Sequence, residues 1–496
     1  MRVTAFLEIF MIVLILSGCS SGPSHIDIVQ SPLTNIPMAP TLTAVSSTNP
    51  FVSLTEPPPP TQTHVPPTFV PTTAPDECTA ENQVSFPVGV FFVRGQKPIF
   101  DEDAPSDFRV DPWRARREYA AEFADLEQEG FNIVMMSVSP IAYGEQPEAV
   151  VHVLLEEAQT HHLCLILPLE SVQGLLASLP DELSDADITA ALEQDLFPLF
   201  RGSPAVLGYF IFDEPVPADE PGPEGQQVYP EQLGQVRAFI ENAHPGALAL
   251  SSWADVNHMA KLQDGMHSQI LFMPIYPLAE EQAIGDFSDA WPRGNPEDGS
   301  FAAGADQPTY SEYLEMAQEA AGGIPQWVIV QAFEPIPPEH PHYWRMPTPK
   351  ELRFEIFDAL AHGAQGVFYF LYQSEDWVHG LRDEHYQPTP LLEEAQEINA
   401  KIRQMSPVLL TIRRAGVNLP QPEGGEAFAF MDDGGNRYLF LVNADVENAA
   451  SLEAHLPAVW TAQTAEDVYD GAQWRIQRGV FIVDIAPGDG RLLRLR

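Results

Sequence analysis

Positive charge is what this chain lacks most. Its 496 residues carry 25 Lys and Arg against 70 Asp and Glu, a formal net charge of −45. A field of that sign repels phosphate backbones and anionic lipid, so nucleic acid is excluded as a partner, as is binding to a membrane surface through charge. The acids are spread along the chain, not gathered in one tail, which fits a solvated or salt-adapted surface. There is no glycine-rich phosphate loop and no Gly-x-Ser-x-Gly elbow, so phosphate-loop and serine-elbow chemistries have no foothold. Long apolar runs are missing as well. The one N-terminal run, IFMIVLIL at 9–16, is far short of the ~20 residues that span a bilayer. Cysteine is scarce, with three residues in all.

What is present begins with that short run, which has the length of a signal-peptide core. The LSGC that closes it resembles the lipobox of bacterial lipoproteins. The resemblance implies cleavage before Cys19, a lipid on Cys19, export, and attachment to the envelope by that anchor alone. A plain secretory signal is the alternative. Residues 20–84 follow as a Pro/Thr/Ser-rich stalk, including TEPPPPTQTHVPPTFVPTTAP. It has little apolar surface to bury and many prolines that cannot join a ladder, so an extended tether is expected.

From 85 to 405 the pattern alternates. Eight apolar or aromatic runs read as strands: 86–93, 132–139, 163–169, 206–212, 248–253, 270–276, 327–333 and 366–372. Helical periodicity separates them, and several helical stretches end at Gly. Near-continuous apolar strands suit a parallel sheet covered on both faces. Eight such βα units predict an α/β (β/α)8 TIM barrel. From 406 to 496 the helical period is lost, and EAFAFMDDGGNRYLFLVN reads as a hairpin. A small all-β sandwich domain is expected there.

A barrel collects its chemistry where the strands end. Those ends offer Arg94, Ser139, Glu170, Asp213, Glu214, Ser252, Trp253, Tyr276, Gln331, Glu334, Tyr372, Gln373, Glu375 and Asp376, in order. The loops beyond add Trp291, Tyr343, Trp344, Arg345, Trp377 and His379. This is a mouth of acids and aromatics with little positive charge. It suits a neutral polyol such as an oligo- or polysaccharide better than a phosphate or carboxylate. No cofactor is expected. Glu339-His340-Pro341-His342 offers two loop histidines but no clear third ligand, so no metal is expected either.

The stretch GYFIFDEP at 208–215, together with QAFEP at 331–335, resembles the (β/α)8 glycoside hydrolases whose acid/base ends strand four and whose nucleophile ends strand seven. The resemblance covers 85–405 and implies Glu214 as acid/base, Glu334 as nucleophile and Tyr276 hydrogen-bonded to that nucleophile. Glu375 on strand eight is the rival nucleophile. Asp213, Trp253, Gln331, Trp344, Tyr372 and Trp377 are the expected substrate contacts. A retaining mechanism needs its two carboxyl groups ~5–5.5 Å apart. The group usually carries Asn before the strand-four Glu, whereas this chain carries Asp213. An ionised Asp only accepts hydrogen bonds, and its charge raises the pKa of Glu214. A non-catalytic sugar-binding lipoprotein is the second reading. Cys78, before strand one, and Cys164, at the start of strand three, both fall at the barrel floor and could pair; a buried free Cys164 is the alternative.

Overall fold

The computed structural model describes residues 78, 85–91, 112–136, 146–223, 225–278, 309–336, 344–374 and 378–496. Cys19, the stalk apart from Cys78, Arg94, Ser139, Trp291, Glu339 to Tyr343, Glu375, Asp376 and Trp377 lie outside these residues.

Eight parallel strands form the barrel: β1 (Val88–Phe91), β2 (Ile133–Met135), β3 (Cys164–Pro168), β4 (Val206–Phe212), β5 (Leu248–Ser251), β6 (Leu271–Ile275), β7 (Gln326–Gln331) and β8 (Gly366–Phe370). The ladder runs β5-β4-β3-β2-β1-β8-β7-β6. A parallel bridge between Ser252 and Phe272 joins its two ends, β5 and β6. Every residue of β4 is buried, as a strand with helices outside and side chains inside requires.

Alternation sorts the strands' side chains into two cores. Val90, Val134, Leu165, Tyr209 and Val328 face outward to the helices. Phe91, Met135, Ile166, Phe210, Phe272, Trp327 and Phe368 fill the interior. The interior is an aromatic stack: Phe91 on Phe272 at 5.7 Å, Phe272 on Phe368 at 4.9 Å, Trp327 on Phe368 at 5.3 Å. Gly89 makes room for it, since a Cβ there would stand 2.1 Å from the Phe368 ring.

The helix α8 (Pro349–Ala361) follows β7. Thr348 caps it, accepting from the Glu351 N–H while Glu351 accepts the Thr348 N–H, and Pro349 opens it. Both devices satisfy or remove donors that a helix start leaves unpaired. From Glu351 to Ala361 all but one of its residues are buried, because it lies between the barrel and a second, all-β layer. That layer has a six-stranded antiparallel sheet and a separate two-stranded one. Its first hairpin pairs β10 (Gly425–Asp432) with β11 (Arg437–Asn443), preceded by β9 (Ile412–Arg414). A core of Leu439, Leu441, Leu452, Val483 and Leu493 fills the layer. Phe428, Phe430 and Phe440 instead join the core outside the barrel strands.

Cys78 and Cys164 form a disulfide, with Cα atoms 5.6 Å apart. Of the two readings of Cys164, the pair is the one found.

Candidate active site

The C-terminal end of β4 is irregular. Its pairing with β5 shifts register between Phe210 and Phe212, and Glu214 has a φ of 44°. A bulge followed by a left-handed residue turns the chain sharply and re-aims its side chains. Two serines of the neighbouring strand hold this turn. Ser251 Oγ donates to the Phe212 carbonyl at 2.9 Å. Ser252 Oγ accepts the Glu214 N–H at 2.9 Å and donates its own proton to Asp213 Oδ1 at 2.6 Å. One hydroxyl therefore ties the two adjacent acids into a fixed arrangement.

Both acids are half-buried. Burial, followed by the negative charge of Asp213, pushes Glu214 up to about 8. Burial also raises Asp213, but the Ser252 hydroxyl opposes the rise. A donor aimed at Asp213 favours its ionised form. Ser252 therefore favours the charge on Asp213, and that charge in turn favours the proton on Glu214.

Tyr276 follows β6. Its hydroxyl is held protonated well above the usual phenol range, by burial first and then by the charges of Glu214, Asp213 and Glu355. Its ring packs edge-on against Phe333 at 4.9 Å and Trp344 at 6.1 Å, and lies 5.9 Å from Phe370. The ends of β4, β6, β7 and β8 therefore meet around Tyr276. Glu334, next to Phe333, lies three residues beyond Gln331, the last residue of β7. It is half-buried, in a two-residue ladder with Val378 and His379. Trp344 is half-buried, and among the described residues its indole N–H has no partner.

Three expected substrate contacts are found elsewhere. Gln331 is fully buried. Its carboxamide accepts the Leu278 N–H at 2.9 Å and donates to the carbonyls of Leu278 and Arg345 at 3.1 and 2.8 Å. It staples two loops together. Tyr372 is also fully buried. It donates to Glu129 Oε2 at 2.8 Å and accepts from Arg382 Nε at 2.8 Å, bracing the chain after β8 against the end of α1 (Pro112–Gln128). Trp253, 1% exposed, belongs to the core outside the strands, and its backbone N–H donates to Phe272.

Two participants escaped the sequence reading. Glu355 of α8 is wholly buried and accepts the Gln331 N–H at 2.7 Å. Burial holds it protonated well above the carboxylate range. No motif marks it, though Glu351, Glu355 and Asp358 recur at helical spacing along one buried side of the helix. Phe333 carries no sequence signal beyond the apolar end of a strand run. Glu170, where β3 ends, is pushed up to about 7 by burial and then by Asp195.

No family model matches this sequence, and no curated protein matches it. Solved structures do match in fold. One described as a glycoside hydrolase superposes with a TM-score of 0.52 at 12% identity, covering 85% of this chain and 95% of its own. An α-amylase from Geobacillus thermoleovorans, complexed with acarbose, gives 0.51 at 11% identity over 83% of this chain and 98% of its own. An Anoxybacillus α-amylase gives 0.50 at 9% identity, over 83% and 97%. At such identities the likeness is one of fold: a (β/α)8 barrel followed by a β-domain.

Proposed function

We propose that this chain hydrolyses glycosidic bonds, with Glu214 as the proton donor. The observation that carries the reading is the Asp213–Ser252–Glu214 arrangement. Cleaving an acetal near neutral pH requires a carboxylic acid that stays protonated until the leaving oxygen needs its proton. Glu214, pushed up to about 8, meets that requirement at the end of a barrel strand. Tyr276, whose hydroxyl feels the charge of Glu214, packs with Phe333 and Trp344, and aromatic faces suit the apolar face of a sugar ring. The fold neighbours described as glycoside hydrolase and α-amylase support the same class.

Protonation of the leaving oxygen by Glu214 needs a second carboxylate at the anomeric carbon. Glu334 is our candidate, with Glu375 as its rival. A nucleophile gives retention by way of a glycosyl-enzyme intermediate, and a base that activates water gives inversion. We assign retention. Asp213 keeps Glu214 protonated and accepts a hydrogen bond from a substrate hydroxyl. The LSGC at Cys19 supports export and lipid anchoring, with the substrate met at the cell surface or envelope.

The test uses Glu214→Gln on a panel of aryl glycosides and polysaccharides. The expected result is a fall in kcat of at least ~100-fold, the scale of general-acid catalysis, with smaller losses on substrates whose leaving phenol needs no proton. Unchanged turnover would refute the assignment. Binding of a polysaccharide with no turnover by the wild-type chain would favour the sugar-binding reading instead.

A further inference from the structure

Behind the barrel mouth, three elements converge on a second polar cluster. Ser311 and Glu315 come from α7 (Tyr310–Ala320). Asp358 belongs to α8, and His362 immediately follows it. Glu426 comes from β10 of the β-domain. Asp358 and His362 are buried, and Glu426 is largely so, its side chain 20% exposed.

The protons in this cluster can be assigned from geometry. His362 Nδ1 lies 2.9 Å from the Asp358 carbonyl oxygen. A carbonyl only accepts, so Nδ1 carries the hydrogen. Nε2 then points away, toward Glu426 Oε2 and Glu315 Oε1, each at 3.8 Å. That separation is too long for a hydrogen bond. His362 is 4% exposed, and its Nε2 meets the cluster at ion-pair distance only.

The Ser311 hydroxyl makes the same point. It lies 2.8 Å from Asp358 Oδ2 and 3.0 Å from Glu426 Oε1. It has one proton and two carboxylates to satisfy. Asp358 Oδ1 is also buried without a hydrogen bond, its nearest charged partner being His362 Nδ1 at 3.2 Å. Two buried carboxylates therefore approach each other across a single hydroxyl donor, with the imidazole between them: Nδ1 lies 3.2 Å from Asp358 Oδ1, and Nε2 is at ion-pair distance only from Glu426 and Glu315. Positive charge balances these acids, supplied either by a proton on Nε2 or by a metal held there.

We propose that Asp358, His362 and Glu426 form a binding site for a divalent transition-type cation of the Zn2+ class, joining the barrel to the β-domain. One ligand atom from each residue lies within 4.8 Å of the others. Zinc bonds of ~2.1 Å in a tetrahedral site set ligands about 3.4 Å apart. Nε2 and Glu426 Oε2, 3.8 Å apart, would close by roughly 0.4 Å, and no pair would close by more than roughly 1.4 Å. One imidazole and two carboxylates suit Zn2+ better than Ca2+, which takes oxygen ligands. The Nδ1–H bond to the Asp358 carbonyl fixes the ring with Nε2 as its ligand atom, a typical outer-shell support. Glu315, beside Nε2 and paired with Arg414 at 3.2 Å, stands as a fourth oxygen.

The experiment uses the full chain, purified without a polyhistidine tag and stripped with a chelator. Zinc chloride is titrated by calorimetry while thermal melting is followed with and without zinc. The expected result is uptake of one zinc per chain and a rise in Tm. Glu426→Gln, isosteric and partly exposed, should weaken that uptake by tenfold or more and remove the Tm rise. His362→Gln should do the same. No uptake by the wild-type chain overturns the proposal and leaves a proton as the cation. Equal uptake and an equal Tm rise in both variants also overturn it, because the zinc then binds elsewhere.

Discussion

The Ser252 hydroxyl donates to Asp213 Oδ1 across 2.6 Å, from the strand next to the one that carries both acids. That bond favours the charge on Asp213. In Ser252→Ala it is lost, and the Glu214 N–H loses its acceptor as well. Asp213 then titrates higher, carries less charge at neutral pH and raises Glu214 less. The alkaline limb of the activity profile should move to lower pH, and stability should fall by about 1–3 kcal/mol, the cost of buried groups left unpaired. An unchanged pH profile would show that Ser252 only holds the backbone.

Glu214 also predicts a pH dependence of stability. Its folded pKa of about 8 lies above the ordinary value of 4.5. Between those values the folded chain holds a proton that the unfolded chain releases. The contribution of this group to stability therefore falls as pH rises from about 4.5 to 8 and is level beyond. Glu214→Gln carries no such penalty. Its Tm relative to wild type should be higher at pH 8 than at pH 4.5, as read by melting curves across that range. A Tm difference that does not vary with pH would contradict the raised pKa.

Tyr372 separates a brace from a binding contact. Tyr372→Phe removes the hydroxyl that donates to Glu129 and accepts from Arg382. Denaturant melts should show a loss of about 1–3 kcal/mol, while KM for any substrate stays within about twofold. A large rise in KM with little loss of stability would return Tyr372 to the mouth.

Breaking the Cys78–Cys164 disulfide should destabilise the chain without changing its activity. The bond spans 86 residues, and loop-closure entropy puts its contribution at about 4–5 kcal/mol. Melting with and without reductant, and of Cys78→Ser, should agree on a lower Tm. A Tm insensitive to reductant would mean that the pair does not form in solution.

The strand order was legible because parallel strands are apolar on both faces. β4 falls where VLGYFIF places it. Most other runs overshoot at their C-terminal ends. Phe333, Leu371 and Tyr372 continue the apolar pattern after the ladder has stopped, since the packing beyond a strand's end is as apolar as the strand. That overshoot is why Tyr372 was expected at the mouth. After β8 the chain swings outward to Glu129, an acid 243 residues away in sequence, and no local pattern reports such a partner. Gln331 misleads for a related reason: a polar residue at a strand's end signals function or a loop tie equally well. Glu214 was legible because two adjacent acids after a wholly apolar strand have no packing role. Ser252 was visible only as a strand end, because its role depends on register across two strands. The cluster of His362 and Glu426 was illegible, since it exists only where two layers meet.

The disulfide has a mechanical side. Tension applied to the chain on the N-terminal side of Cys78 passes through sulfur directly into β3 at Cys164. The 85 residues between them, with β1 and β2, hang slack in parallel with that path. A barrel loaded this way is gripped at an interior strand that pairs on both edges, β2 on one and β4 on the other, so pulling has no free edge to peel. Reduction would transfer the same load to β1, whose four residues would then be the first to bear it.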